Sequence, residues 1–314
     1  MSRAFIFPGQ GSQAIGMGKE LAETFPAARE VFQEVDEALG QNLFRLMQDG
    51  PDSDLTLTEN TQPALMAVSL AVVRAIEAEG GKPLAALGSF VAGHSLGEYS
   101  ALAAVRAIPV AETARLLKLR GRAMQAAVPV GVGAMAAILG LDADQAEAIA
   151  AAASQDGEIC AFANDNAPGQ IVLSGHVAAV ERAIALAKEK GAKRAVPLPV
   201  SAPFHCPLMQ PAAEAMAEAL AKVEIAAPSL PVIQNVTAAP SIAPDRIRDL
   251  LVEQVCGRVR WRECVLAMKA QGVQHLVELG AGKVLSGLAR RIDGELEGRS
   301  VGNPADVEAF LNSL

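Results

Sequence analysis

The sequence predicts an α/β protein, a parallel-sheet core carrying a small inserted unit. Three observations carry that prediction. Short apolar runs at residues 3–7 and 85–92 alternate with stretches of helical periodicity, the pattern of parallel strands joined by helices. Residues 133–199 read in the order βαββαβ between proline-containing segments. Between the run 85–92 and the helical run 98–107 stands Gly93-His94-Ser95-Leu96-Gly97, a serine between two glycines at a strand-to-helix turn.

Taken in order, Arg3–Phe7 is a short buried strand running into Pro8-Gly9-Gln10-Gly11-Ser12-Gln13. Such a glycine-punctuated loop brings backbone close to a ligand. A helical pattern follows over 18–39, and a second over 61–79 is stopped by Gly80-Gly81-Lys82-Pro83. The helix 111–127 comes after the serine turn. The inserted unit reads as strand 134–139, helix 142–153, strands 159–164 and 170–174, helix 177–190 and strand 192–198. That order is ferredoxin-like, and Val128-Pro129-Val130-Gly131 and Pro197-Leu198-Pro199 mark the crossings. The expected division is therefore a large α/β domain from 1–130 and 199–314 with a small domain at 131–198. Helices over 207–222, 245–255, 261–271 and 284–292 and strands over 231–235 and 274–279 complete the large domain. Gly280-Ala281-Gly282 before the last helix suits either a phosphate-binding turn or simple helix packing.

Composition excludes several function classes. A net charge of −8 with few aromatic residues argues against a nucleic-acid surface. No apolar run reaches the about 18 residues of a membrane span, and residues 4–7 before Pro8 are too short for a signal-peptide core. A cytoplasmic protein is expected, with no membrane partner. Cys160, Cys206, Cys256 and Cys264 lack paired spacing, so they are expected to be reduced thiols with no metal site.

Glycines two residues either side of Ser95 remove the Cβ atoms that would clash in a sharp elbow, leaving the hydroxyl exposed for chemistry on an acyl group. A serine hydroxyl needs a neighbouring base. Of the four histidines, His94 adjoins Ser95 but should diverge from it, His176 reads as a capping or surface residue, and His275 begins a strand. His205, in the proline-constrained loop Val200-Ser201-Ala202-Pro203-Phe204-His205-Cys206-Pro207, is the candidate base, although such a loop histidine also has bland uses. On the helix 111–127, Arg120 falls among Leu116, Leu117, Ala123, Met124 and Ala127, on the face that should be buried. A guanidinium there needs a carboxylate, supplied by an internal Asp or Glu or by a substrate.

Residues 7–13, 93–99, Arg120-Gly121, 164–170, 199–206 and 275–285 together resemble the malonyl-CoA:acyl carrier protein transacylases over essentially the whole chain. The resemblance implies a hydrolase-like α/β core with the ferredoxin-like insertion. It implies that malonyl passes from coenzyme A to the phosphopantetheine thiol of acyl carrier protein through an acyl-serine, feeding fatty acid synthesis. The coenzyme A thioester would be a substrate, with no cofactor permanently bound. Ser95 would be the nucleophile and His205 its base. The backbone N–H groups of Gln10 and Leu96 would form the oxyanion hole, and Arg120 would hold the malonyl carboxylate. Gln62 and Asn166 match positions near the acyl pocket, though both amides could instead satisfy local turns. Many members carry glutamine where this chain has Arg260, in Val259-Arg260-Trp261, and that residue's carbonyl is expected to orient the histidine. The alternative for Arg260 is a solvent-facing arginine at a helix start. Phe204 and Leu96 resemble malonyl-selective members. For docking the acidic carrier, the candidates are Lys188, Lys190, Lys193 and Arg194, and Lys283, Arg290 and Arg291.

Two other readings share the elbow. A serine hydrolase of thioesterase or lipase type would place a dedicated carboxylate between serine and histidine, yet Asp142, Asp144, Asp156 and Asp165 all fall in the inserted unit. It would also have no use for a buried Arg120. A non-catalytic carrier-binding scaffold would not need both Ser95 and His205.

Overall fold

The computed structural model describes residues 2–200 and 202–314; Ser201, within the His205 loop, lies outside the described residues. The chain opens with β1 (Arg3–Phe7), followed by helices α1 (Lys19–Thr24), α2 (Pro26–Leu39), α3 (Leu43–Asp49), α4 (Asp52–Thr56) and the long α5 (Thr58–Gly80). Next come β2 (Phe90–Gly93), α6 (Leu96–Ala104) and α7 (Val110–Ala126). A second group comprises β3 (Gly133–Leu139), α8 (Ala143–Ala153), β4 (Cys160–Ala167), β5 (Gln170–His176), α9 (Val177–Glu189) and β6 (Arg194–Pro197). The chain closes with α10 (Gln210–Leu220), β7 (Val232–Ile233), β8 (Pro240–Ser241), α11 (Pro244–Cys256), α12 (Trp261–Ala270), β9 (His275–Leu279), α13 (Val284–Ile292), β10 (Glu297–Val301) and α14 (Pro304–Leu311).

Two sheets organise these elements, as the α/β prediction requires. The larger has the order β10-β9-β1-β2-β7-β8, parallel throughout except for the short edge pairing of β7 with β8. Successive residues of β1 face opposite sides, and both sides are dry: Phe5 and Phe7 enter one core cluster, while Ala4 and Ile6 enter another. The smaller sheet, β4-β5-β3-β6, is antiparallel throughout, with α8 and α9 burying one face of it. Its edge is stitched to the segment after α11, because Asp165 N–H donates to the Val259 carbonyl and Val259 N–H to that of Ala163. A bidentate ion pair from Arg262 to the buried Asp165 reinforces the seam.

Differences from the sequence expectation have local causes. The helical pattern 18–39 is two helices, because Pro26 starts α2 and forces Phe25 before it into an extended conformation, φ −114° and ψ 115°. Only the end of the run 85–92 is strand; Leu84–Ala86 is a 3₁₀ turn. Among the described residues, no helix is long and apolar enough to cross a membrane.

Candidate active site

Parallel pairing of β1 with β2 sets Phe7 beside Gly93, so the loops leaving both strands emerge at the same edge of the sheet. This is the crevice outside the carboxyl ends of the strands, where open α/β sheets place ligands. Ser95 occupies the tip of the elbow with φ 54° and ψ −110°, a left-handed conformation rare for a residue with a side chain. The turn is possible only with glycine on both sides. A Cβ on Gly93 would stand 1.8 Å from the Gly97 carbonyl oxygen, and one on Gly97 would stand 2.3 Å from that of Phe7.

The elbow is locked by hydrogen bonds to a residue the sequence did not single out. Asn235, just past β7, accepts from Ser95 N–H through Oδ1 at 2.7 Å and donates through Nδ2 to the Gly93 carbonyl at 2.7 Å. Its own N–H donates to the wholly buried Glu98 Oε2 at 2.8 Å.

His205 reaches Ser95 from the loop after the smaller sheet, with Nε2 2.8 Å from Oγ. Its Nδ1 lies 2.9 Å from the Gln254 carbonyl oxygen, which accepts only, so Nδ1 carries the hydrogen and Nε2 is the bare acceptor for the serine hydroxyl. Burial, with the Arg120 charge adding to it, pushes the imidazole down to about 3, so it is neutral with Nε2 unprotonated. Gln254 rather than Arg260 therefore orients the histidine. The Arg260 guanidinium is engaged with Glu263 and the Val236 carbonyl, and its own carbonyl accepts from Cys264 N–H in the first turn of α12.

Arg120 is 1% exposed, on the buried face of α7 as its spacing predicts. The close crossing of α7 over the start of α5 puts it there, since a Cβ on Gly121 would stand 2.5 Å from Glu59 Cα. Of the two partners open to it, an internal carboxylate is not what holds it, for among the described residues it makes no ion pair. Its Nη1 donates to Gln62 Oε1 at 2.8 Å, and its Nη2 to Gln254 Oε1 at 2.9 Å and to Ser95 Oγ at 3.1 Å.

A cavity of about 490 Å³ is lined by Gln10, Gln62, Ser95, Leu96, Arg120, Asn166, Phe204 and His205, with Met135, Asn164 and Val172 of the smaller sheet forming one wall. Every predicted site residue except Arg260 therefore meets around one space; Arg260 lines a different cleft on the far side of His205. Leu96 N–H, at the first position of α6, has no acceptor within its helix. Asn166 Oδ1 accepts at 2.9 Å from His94 Nε2, which turns that ring away from the serine. His176 and His275 lie elsewhere, the first accepting from Ile159 N–H and the second beside Glu297.

The residues sequence reasoning missed are Gln254, Asn235 and Glu98. Gln254 could have been found as Arg120 was, because it shares the buried face of α11 with Ile247, Leu250 and Leu251. Asn235 follows a two-residue strand and gives no periodic signal.

A model of the acyl transferase domain matches residues 4–291. The malonyl CoA-acyl carrier protein transacylase of Escherichia coli strain K12 is 48% identical over 308 residues, 98% of each chain. The crystal structure of acyl-carrier-protein-S-malonyltransferase from Bartonella henselae is 55% identical, covers 100% of this chain and 99% of its own, and superposes with a TM-score of 0.97. A malonyl-transacylase solved in complex with a type II PKS acyl-carrier protein is 43% identical, covers 100% of both chains, and has a TM-score of 0.96. By domain model, sequence and fold alike, the chain belongs to the acyl transferase domain family and, within it, to the malonyl CoA-acyl carrier protein transacylases.

Proposed function

We propose that this protein moves a malonyl group from coenzyme A to the phosphopantetheine thiol of acyl carrier protein in two half-reactions, supplying fatty acid synthesis in the cytoplasm. His205 Nε2 takes the Ser95 proton, Oγ attacks the malonyl thioester carbonyl, and the oxyanion is met by the N–H groups of Leu96 and Gln10. Collapse breaks the C–S bond, and the coenzyme A thiolate leaves with the proton from the imidazolium. The carrier thiol then gives its proton to His205, its sulfur attacks the ester, and Ser95 recovers its hydrogen. Coenzyme A enters as a substrate thioester throughout.

The observation that carries this reading is the Ser95–His205 contact of 2.8 Å standing 3.1 Å from a buried guanidinium that has no carboxylate partner among the described residues. A neutral ester would have no use for that charge, and His205 is oriented by a carbonyl rather than the dedicated carboxylate of a serine hydrolase. We take residues 131–198 as a small domain walling the cavity against water, so that the acyl-serine waits for a thiol. The two basic clusters are exposed, and Lys193 of one and Arg291 of the other meet at a single cleft of about 790 Å³ that Asp142, Asp144 and Asp165 also line; we take the exposed basic rim around it as the docking surface for an acidic carrier.

Mass spectrometry after exposure to malonyl-CoA tests the reading. The protein should gain one malonyl group, Ser95→Ala should gain none, and hydrolysis outpacing transfer to carrier thiol would favour a hydrolase.

A further inference from the structure

A buried arginine ordinarily takes a carboxylate, because an unpaired interior charge is costly. Arg120 takes two amide oxygens instead, from Gln62 and Gln254, and its Nε has no hydrogen-bond partner among the described residues. Neutral acceptors offset part of the desolvation and fix the guanidinium plane while leaving its charge uncompensated.

The Gln254 amide cannot turn over without loss. Its Nε2 faces three oxygens, Ser95 O at 3.0 Å, Glu98 Oε2 at 3.1 Å and Asn235 Oδ1 at 3.3 Å. Inversion would set oxygen against oxygen there and N–H against the guanidinium on the other side. On the opposite flank, Gln62 Nε2 is directed at Met124 Sδ at 3.8 Å, which leaves its oxygen for Arg120. Glu98 is the acid behind Gln254. It makes no ion pair with Arg120, and burial pushes its carboxyl up to about 7, which weakens it as a counter-charge.

We propose that Gln62 and Gln254 are specificity-determining positioning residues, neutral acceptors that hold Arg120 in place yet leave its charge for the carboxylate of the incoming acyl group. The proposal rests on the assignment of Arg120 to the malonyl carboxylate. A glutamate at either position would pair with Arg120 in the free protein; at 254 its second oxygen would also face Ser95 O, Glu98 Oε2 and Asn235 Oδ1, a cost that falls on malonyl and acetyl transfer alike and cancels in their ratio. Malonyl would then enter as a second carboxylate beside a like charge, whereas an uncharged acyl group meets no such repulsion. Because His205 is held by the backbone of Gln254, side-chain changes there leave its acceptor in place.

The test measures kcat and KM for malonyl-CoA and acetyl-CoA, with holo acyl carrier protein as acceptor, for the wild type, Gln62→Glu, Gln254→Glu and Arg120→Ala. Each glutamate variant should lower the malonyl-to-acetyl ratio of kcat/KM by about tenfold to 100-fold, mainly through the malonyl KM. Ratios within about twofold of wild type in both, alongside a collapsed ratio in Arg120→Ala, would overturn the proposal and leave the arginine assignment standing. An unchanged ratio in Arg120→Ala would instead overturn the arginine assignment and the proposal with it. If thermal melts show that the glutamate variants do not fold, Gln62→Met and Gln254→Met decide. They remove the acceptor at similar volume and should raise the malonyl KM, and an unaltered KM in both would refute the role.

Discussion

The Gln254 carbonyl oxygen lies 2.9 Å from His205 Nδ1, so a backbone group at the end of α11 fixes the tautomer and aim of the imidazole. No side chain can be exchanged to remove that acceptor, and the consequences can be read in several variants.

Replacing His205 by alanine should lower kcat by about 10²- to 10⁴-fold, the usual worth of general-base assistance, while circular dichroism and thermal melting stay those of a folded protein. Arg260→Ala, by contrast, should keep kcat within about twofold, because its guanidinium is engaged with Glu263 and not with His205. Side-by-side steady-state kinetics check both, and a large kcat loss in Arg260→Ala would give its side chain a part in the site beyond its contact with Glu263.

Arg120→Ala should lose malonyl transfer far more than acetyl transfer, by about 100-fold or more in the ratio of kcat/KM. Equal losses on the two thioesters would reduce Arg120 to a structural residue.

Acid should destabilise the protein through His205. Its pKa is about 3 folded against 6.5 unfolded, so below 6.5 the unfolded chain binds a proton that the native site refuses. The stability is fully present above 6.5 and falls as pH drops toward about 3. Glu98 acts in the opposite sense: its pKa rises from 4.5 to about 7, so its contribution is complete below 4.5 and fades as pH climbs through about 7. Urea titrations across this range should show a shallower acid limb in His205→Gln and a shallower alkaline limb in Glu98→Gln.

Gly93→Ala should be among the most damaging single changes, because the new methyl would overlap the Gly97 carbonyl oxygen at 1.8 Å, and backbone, unlike a flexible side chain, has nowhere to go. A loss of about 3 kcal/mol or more is expected, together with loss of acylation at Ser95. Chemical denaturation and mass spectrometry read the two effects separately.

Charge reversal at Lys193 and Arg291 together should raise the KM for acyl carrier protein and flatten its dependence on ionic strength, leaving the malonyl-CoA half-reaction as it was. Carrier kinetics indifferent to both reversals would remove this rim from consideration.

Much of the fold was legible because its elements are buried with a clean period: Arg3–Phe7 and Val284–Ile292 have the predicted bounds. What escaped lacked that signal. β10, Glu-Gly-Arg-Ser-Val, buries only its final valine, so as an edge strand it reads as loop, and the short α3 and α4 hold too few residues to display a repeat. At the site, Ser95, His205 and Arg120 announced themselves through glycine spacing, a rigid loop and a charge on an apolar face. The support beneath them did not, because Asn235 and the Gln254 carbonyl act by hydrogen bonds across the fold, and a backbone carbonyl carries no residue signature.

The seam between the smaller sheet and Val259 gives the cavity an unusual mechanical property. β4, which supplies Asn164 and Asn166 to the wall facing the acyl group, is bonded to a strand-like segment only a few residues beyond the carbonyl that steers His205. Backbone hydrogen bonds thus tie the wall to the segment that steers the imidazole. A bulky acyl chain that pried the wall outward should therefore disturb the alignment of the proton acceptor with Ser95, and bulky thioesters are expected to lose kcat as well as affinity.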